Sequence, residues 1–135
     1  MDFDLILKPG LTGEKNEAVT DDNTAESWGS GGLPVYATPS MIALMEGAAV
    51  NAVDKLLPAG WSTVGTELDV KHLSATPAGL EVRAVAELLE IDGRRLLFKV
   101  DAFDRAGKIG EGRHSRFIVE NERFLQKTTG KKAGL

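Results

Sequence analysis

The side chain best placed to do chemistry in this sequence is Glu46, because it interrupts a long apolar stretch. It is the only formally charged side chain between Glu26 and Asp54. A carboxylate among apolar neighbours costs free energy unless a polar partner compensates for the loss of water. We therefore expect Glu46 either to have a structural partner or to take part in a reaction.

The second candidate is His72, one of two histidines in the sequence. Its alternation with Leu68 and Val70 predicts that it ends the apolar face of a strand and points toward the layer that holds Glu46. A carboxylate and an imidazole that meet away from water suit general acid–base catalysis. The alternative is a buried Glu46–His72 pair that only satisfies its own hydrogen bonds.

Two further groups of polar residues lie on the later strands. His114 and Arg116 share a face of the last predicted strand, and Arg94 and Arg95 lie beside a predicted hairpin. Arginines at the rim of a site can hold phosphate through paired hydrogen bonds. The alternative for each group is a solvated charged face.

A long helix over residues 33–57 is predicted to carry Glu46. Thr38 should cap its first turn through the side-chain oxygen, and Pro39 suits the first helical position. Apolar residues recur at helical spacing, and Ile42 and Val50 make the remaining surface apolar as well. This pattern predicts a helix that is covered on most sides.

After the helix the apolar residues alternate, which predicts four antiparallel strands in a meander. Their expected ranges are 61–74, 80–91, 94–104 and 108–120. The residues that should share the apolar face of the first strand are Val64, Leu68, Val70 and His72. Asp92-Gly93 is a strong signal for a two-residue hairpin. Such a sheet would curl around the helix, and a second copy of the chain would cover the exposed edge.

The segments outside this unit are less regular. Residues 3–7 predict a short strand, residues 14–20 a weaker extended piece, and residues 21–32 a loop. This loop is interpreted as a mobile segment anchored by Trp28, or else as a plain connection. Residues 121–126 could add a helical turn. The sequence predicts a single domain at 1–126 and a flexible basic tail at 127–135.

Composition limits the classes of protein. The chain has 135 residues, of which 42% are hydrophobic and 27% are charged, as in one soluble globular domain. The absence of cysteine excludes disulfides and thiolate chemistry, two histidines argue against a histidine-rich metal site, and a net charge of −4 argues against nucleic acid. The first ten residues lack the basic start of a signal peptide, and the helix is too interrupted for a membrane span. We expect a cytoplasmic protein.

Three stretches closely resemble the fluoroacetyl-CoA thioesterase-like branch of the hotdog-fold thioesterases. They are VYATPSMIALMEGAAVNAV, GTELDVKHLSATPAGL and ELLEIDGRRLLFKVDAFD. The resemblance covers most of residues 35–124. It implies an α+β hotdog fold, in which an antiparallel sheet wraps around one long central helix, and a homodimer with active sites at the interface. It also implies hydrolysis of acyl-CoA thioesters without a metal or organic cofactor, since coenzyme A is part of the substrate.

Residue by residue, the resemblance places the family's catalytic threonine, glutamate and histidine at Thr38, Glu46 and His72. It also places three substrate-binding positions, namely Tyr36, Gly65 and, near the CoA end, Arg116. The thioester carbonyl would then lie against a backbone N–H near Gly65, which stabilises the developing oxyanion. Glu46 would act as nucleophile or as base for water, with His72 managing protons.

Two features qualify this assignment. On a regular helix Thr38 and Glu46 lie about 12 Å apart along the axis. Either the helix begins after Thr38, or Thr38 meets Glu46 or His72 of another subunit. Fluoroacetyl-specific members carry phenylalanines before the helix, where this chain has glycines within WGSGGLPVY. A different or broader acyl group is therefore expected.

Two other functions suit the same fold. A non-catalytic acyl-CoA-binding or sensor domain would retain acyl-CoA without releasing a thiol. A dehydratase or hydratase would also use acid–base residues on acyl thioesters, but the set of Thr38, Glu46 and His72 disfavours it. The expected partners are an acyl-CoA and a second copy of the chain, in a dimer or higher oligomer, without nucleic acid or membrane.

Overall fold

The protein is described here by a computed structural model covering residues 1–134 of the chain, and it has the predicted α+β class. Five strands form one sheet, namely β1 (Thr12–Ala18), β2 (Trp61–His72), β3 (Glu81–Asp92), β4 (Arg95–Asp104) and β5 (Gly107–Glu120). The helices are α1 (Ala25–Trp28), α2 (Thr38–Val53), α3 (Asn121–Thr129) and α4 (Lys131–Gly134). Short 3-10 turns occupy Phe3–Leu5, Asp21–Asn23 and Asp54–Leu56.

The strands lie in the order β1-β3-β4-β5-β2, and every neighbouring pair is antiparallel. The predicted four-strand meander is therefore only partly right. β3, β4 and β5 form a meander, but β2 lies beyond β5 at one edge, and β1 forms the other edge. Alternation along a strand reports which face is buried and not which strand lies beside it, so the sequence pattern missed this crossover.

The β3–β4 hairpin is confirmed with its turn one residue later than predicted. Asp92 pairs with Arg95, which leaves Gly93 and Arg94 as the two turn residues. Gly93 has φ +63°, in the left-handed region that glycine enters without steric cost.

The core lies between the sheet and one face of α2. The buried helix residues are Met41, Leu44, Met45, Ala48, Ala49, Ala52 and Val53. They pack mainly against β1 and β3. Gly13 on β1 permits this close approach, because a Cβ there would collide with the backbone of Ala48 and Ala52.

The opposite face of α2 is not covered by the sheet. Ile42, Glu46 and Val50 are only half-buried, and Ala43 is exposed. The expectation that the helix is covered on most sides is therefore wrong for a single chain. This face leaves apolar surface and the one carboxylate of the helix open to contact from outside.

The start of α2 also differs from the prediction. Thr38 is the first helical residue and not the cap, since Ala37 occupies the cap position without a side-chain hydrogen bond. Pro39 consequently lies at the second helical position. The helix ends at Val53 and not at the predicted residue 57, because a 3-10 turn replaces its last turn at Asp54–Leu56.

The terminal segments are more helical than predicted. Phe3–Leu5 is a 3-10 turn and not a strand, stabilised by Asp2, whose side chain accepts from the backbone N–H of Asp4. The predicted loop contains α1, and Trp28 is 54% exposed, so it does not anchor this segment. α3 and α4 extend through most of the predicted tail, whose flexibility stays a prediction, and residue 135 lies outside the described residues. No helix in the described chain is long and apolar enough to cross a membrane.

Candidate active site

A β-bulge in β2 decides which of its side chains face α2. The pairing register with β5 shifts between Gly65 and Glu67, so one extra residue reverses the alternation. Thr63 and Gly65 face the helix before the bulge, and His72 does so after it. Val64 therefore lies on the other face, which corrects the prediction that it shares a face with His72.

The first polar cluster is Thr38 and His72, where the start of α2 meets the end of β2. Thr38 Oγ1 lies 2.7 Å from His72 Nδ1, so the threonine hydroxyl that was predicted to cap the helix bonds the imidazole instead. His72 Nε2 is buried and has no hydrogen-bond partner among residues 1–134. Desolvation lowers the pKa of His72, and the Ser74 backbone opposes part of this shift. The ring is thus neutral at pH 7 and offers one unused nitrogen.

A cleft of about 300 Å³ opens beside this pair, with walls that include Ser30, Tyr36 and Leu73. The Tyr36 side chain is buried, and its hydroxyl donates to the Glu17 carboxylate. Desolvation and the contact with Glu17 both raise the pKa of Tyr36, so the hydroxyl stays protonated. Tyr36 therefore lies in the wall of the cleft while its polar atom ties the segment before α2 to β1.

The second polar cluster contains Glu46, Gly65 and Arg116. Glu46 Oε2 lies 3.5 Å from Arg116 Nη1, and the Glu46 side chain is 37% exposed. Gly65 faces this carboxylate directly, because a Cβ at that position would lie 2.5 Å from Glu46 Oε2. Because Gly65 has no side chain, the Glu46 carboxylate can occupy the space that a Cβ at this position would fill.

Arg116 is buried behind Glu46 and is held by several hydrogen bonds. Its Nε donates to Thr63 Oγ1 at 2.8 Å, and its Nη2 donates to the Thr63 carbonyl at 2.9 Å. Its Nη1 lies 3.1 Å from His114 Nε2. Thr63 in turn donates through its hydroxyl to Asp54 Oδ1 at 2.6 Å. The interpretation of His114 and Arg116 as a solvated charged face is therefore wrong.

His114 has a defined tautomer in this cluster. Its Nδ1 lies 2.8 Å from the Glu67 carbonyl oxygen, which can only accept, so Nδ1 carries the hydrogen and Nε2 accepts from Arg116. Desolvation lowers the pKa of His114; the bond to Glu67 opposes this shift, and the charge of Arg116 adds to it. The ring is neutral at pH 7.

The sequence reasoning did not identify Thr63 or Asp54 as parts of a site. Asp54 lies inside the predicted helix range of 33–57, where it reads as an ordinary helical residue. Thr63 falls on the predicted polar face because the bulge is invisible in the pattern. Arg94 and Arg95 remain exposed and belong to neither cluster. Arg94 lies 5.0 Å above the ring centre of Trp61.

The two clusters are far apart within one chain. Thr38 and Glu46 are separated by eight residues of α2, or about 12 Å. Gly65 and His72 are separated by seven residues of β2, or roughly 20 Å at the usual strand rise. Glu46 and His72 of the same chain are consequently held apart, and each cluster has only part of the predicted catalytic set.

Comparison with known proteins gives the family. A sequence model of the fluoroacetyl-CoA-specific thioesterases matches residues 19–122. The chain belongs to this family. A fluoroacetyl-CoA thioesterase from Streptantibioticus cattleyicolor is 42% identical over 97 residues, which are 72% of this chain and 70% of that protein. This membership assigns the chain to the thioester hydrolases, as predicted.

Solved structures confirm the hotdog fold. A mutant fluoroacetyl-CoA thioesterase in complex with acetyl-CoA has a TM-score of 0.87 and 33% identity, over 93% of this chain and 98% of that chain. A thioesterase superfamily member from Thermus thermophilus has a TM-score of 0.86 and 27% identity, over 93% of each chain. A hotdog-like protein from Thermanaerovibrio acidaminovorans shares the fold with a TM-score of 0.88 at 23% identity, over 100% of this chain and 99% of that chain. None of these relatives supports the non-catalytic alternative.

Proposed function

We propose that the protein hydrolyses an acyl-CoA thioester to the free acid and CoA at a site formed between two copies of the chain. Thr38 and His72 of one copy and Glu46 and Gly65 of the other would complete it. The observation that carries this proposal is the division of the catalytic set. Thr38 and His72 are paired at 2.7 Å, whereas Glu46 lies at the other cluster, against Gly65 and Arg116.

Two exposed surfaces support the pairing of two copies. β2 is a twelve-residue edge strand, and edge strands readily pair with another chain. The second surface is the uncovered apolar face of α2, which carries Ile42 and Val50. In a two-fold dimer both surfaces would be buried in one self-complementary interface.

Antiparallel pairing of two β2 strands would also join the clusters. In such a pair, the numbers of any two residues that lie opposite each other have the same sum. If the two-fold axis passes between Leu68 and Asp69, then Gly65 of one copy lies opposite His72 of the other. Glu46, which lies against Gly65, would then face the second copy's imidazole across the interface.

The chemistry follows from these positions. A backbone N–H at the bulge beside Gly65 would donate to the thioester oxygen and stabilise the oxyanion. Glu46 would take a proton from the water that attacks the carbonyl carbon, or would itself attack that carbon to form a mixed anhydride that water then hydrolyses. When the C–S bond breaks, the thiolate of CoA leaves, and the proton released by the water reaches it through His72, which is neutral before and after the transfer. Thr38 would hold the imidazole through Nδ1 and leave Nε2 for this transfer.

The acyl group is proposed to differ from, or to be broader than, the fluoroacetyl group named for the relatives. Ser30 lies in the wall of the cleft beside Thr38, and its neighbours Gly29, Gly31 and Gly32 contribute no side chain. A thiol-detection assay with acyl-CoAs from acetyl to long-chain and aromatic would identify the group. We also propose a cytoplasmic location and a reaction without a metal or organic cofactor.

Mixed dimers test the composite site. One copy would carry Glu46→Gln and the other His72→Ala, with two affinity tags to isolate the mixed species. One of its two sites then keeps both native groups, so about half of the wild-type rate is expected, while each variant alone is inactive.

The matched control places both substitutions on one copy and pairs it with a wild-type copy. A site between copies predicts an inactive dimer in this case, whereas a site within one chain predicts about half of the wild-type rate. A reversed pair of outcomes would overturn the composite site. If the wild-type protein releases no thiol from any acyl-CoA in the panel, the hydrolase function itself is wrong.

A further inference from the structure

Resting on the proposed role of Glu46, we propose that Asp54, Thr63 and His114 are positioning residues that hold Arg116 against the reacting carboxylate. They lie behind Glu46 and act through the guanidinium. Together these three side chains set the direction in which Arg116 Nη1 points.

The direction of each hydrogen bond follows from the donors available. The Asp54 carboxylate accepts from both the hydroxyl and the backbone N–H of Thr63, at 2.6 and 3.2 Å. Because the Thr63 hydroxyl donates its only hydrogen to Asp54, its lone pair must accept from Arg116 Nε. The chain of donation therefore runs from Arg116 through Thr63 to Asp54.

His114 controls the other side of the guanidinium. Its Nδ1 hydrogen goes to the Glu67 carbonyl, so its Nε2 lone pair receives one hydrogen of Arg116 Nη1. The second hydrogen on the same nitrogen is left for Glu46 Oε2, at 3.5 Å. This contact is long, so it restrains the carboxylate without closing off its reactive oxygen.

The bonds also limit what else Arg116 can do. An arginine has five N–H groups, and four of them are engaged by Thr63, His114 and Glu46. The residue is 6% exposed in the single chain. It therefore has little capacity to bind the phosphates of CoA, and we place its action on Glu46.

Thr63→Val and Thr63→Ser test the inference as a matched pair. Valine keeps the size of threonine but removes the hydroxyl that links Arg116 to Asp54, whereas serine keeps it. We expect valine to lower kcat by about 10- to 100-fold, the usual effect of losing a hydrogen bond to a charged group, with KM within about threefold. Serine should restore kcat to within about threefold of the wild type, measured with the best acyl-CoA of the panel.

His114→Leu and His114→Gln form an independent pair at the other side of the guanidinium. Leucine removes the acceptor for Arg116, and glutamine can replace it, so only leucine should lower kcat. Ser115→Ala is the control, because Ser115 is also buried on β5 but its hydroxyl accepts from Arg95, which lies outside the Arg116 cluster. This pair decides the question if Thr63→Val does not fold.

The outcomes separate this inference from the proposed function. Unchanged kcat in folded His114→Leu and Thr63→Val proteins would reduce the group to a structural role, even if Glu46→Gln is inactive. A rise in KM at constant kcat would mean that Arg116 acts on substrate, which also overturns the inference. Full activity of Glu46→Gln would instead overturn the proposed function.

Discussion

The two polar clusters share the same helix and the same strand but differ in how far their hydrogen bonds are satisfied. In the cluster around Arg116, acceptors on Thr63 and His114 bind most of the N–H groups of the guanidinium. Around His72, one ring nitrogen is left without a partner in the described chain and a cleft lies beside it. A saturated network is rigid because any movement leaves a buried polar group unpaired, whereas an open one can exchange partners during a reaction.

The two clusters would therefore have different roles in the proposed dimer. The Arg116 cluster would fix Glu46 and leave its oxygen reactive. The Thr38–His72 pair would receive substrate and move protons. Each chain would carry one complete cluster of each kind, and only contact between copies would bring Glu46 to the imidazole of His72.

The largest expected effect comes from removing the charge of Glu46. Glu46→Gln preserves size and hydrogen bonding, yet it cannot attack the thioester or accept a proton. We expect kcat to fall by about 10³-fold or more, the scale typical of losing a nucleophile or base. Thiol release measures the rate, and size-exclusion chromatography checks that assembly is unchanged. Near-normal turnover would remove Glu46 from the mechanism.

Filling the space opposite Glu46 should have the next largest effect. In Gly65→Ala the new methyl would displace the Glu46 carboxylate, which is the flexible end of a side chain, and would also lie 3.3 Å from Arg116 Nη1 and His114 Cε1, which must shift slightly. We expect kcat to fall by about 10- to 100-fold and the unfolding free energy to fall by about 1 to 3 kcal/mol. Gly134→Ala is a suitable control because its Cβ meets nothing within 4 Å. Normal activity of Gly65→Ala would place the reaction away from this cluster.

A smaller effect is expected at the open cluster. Thr38→Val removes the hydroxyl beside His72 Nδ1 but keeps the shape, and Thr38→Ser keeps the hydroxyl. We expect valine to lower kcat by about tenfold, as for loss of one hydrogen bond that orients a base, and serine to remain close to the wild type. The pH profile of kcat/KM should also move with valine and not with serine. Equal rates for both variants would limit Thr38 to a structural role.

The smallest effect concerns stability against pH. The pKa values of His72 and His114 are lowered from 6.5 in the folded protein. The unfolded chain therefore binds more protons at these sites as the pH falls through about 6.5, so their contribution to stability is present above that pH and is lost below it. Each histidine can contribute at most about 1.4 kcal/mol per pH unit. In chemical unfolding experiments between pH 8 and pH 5, the free energy of unfolding should depend less on pH in His114→Gln than in the wild type. An equal dependence in the two proteins would contradict a neutral, buried His114.

Much of the architecture can be read from the order of the residues. Alternation along 61–120 predicts four strands, and helical spacing around Glu46 predicts the central helix. Both are local periods, and burial on one face is enough to create them. The interruption of that helix by a single carboxylate, together with the motifs that carry Thr38 and His72, was sufficient to name the candidate catalytic set and the family.

Other features depend on residues that are distant in sequence. The position of β2 beside β5, the bulge that turns Thr63 toward the helix, and the linkage of Asp54 to Arg116 have no local signal. They arise because the chain must pair its strands and satisfy its buried donors as a whole, and those free energies depend on which distant groups come together. The sequence motifs point to Glu46 and His72 together, whereas the fold of a single chain places them in two separate clusters along α2 and β2.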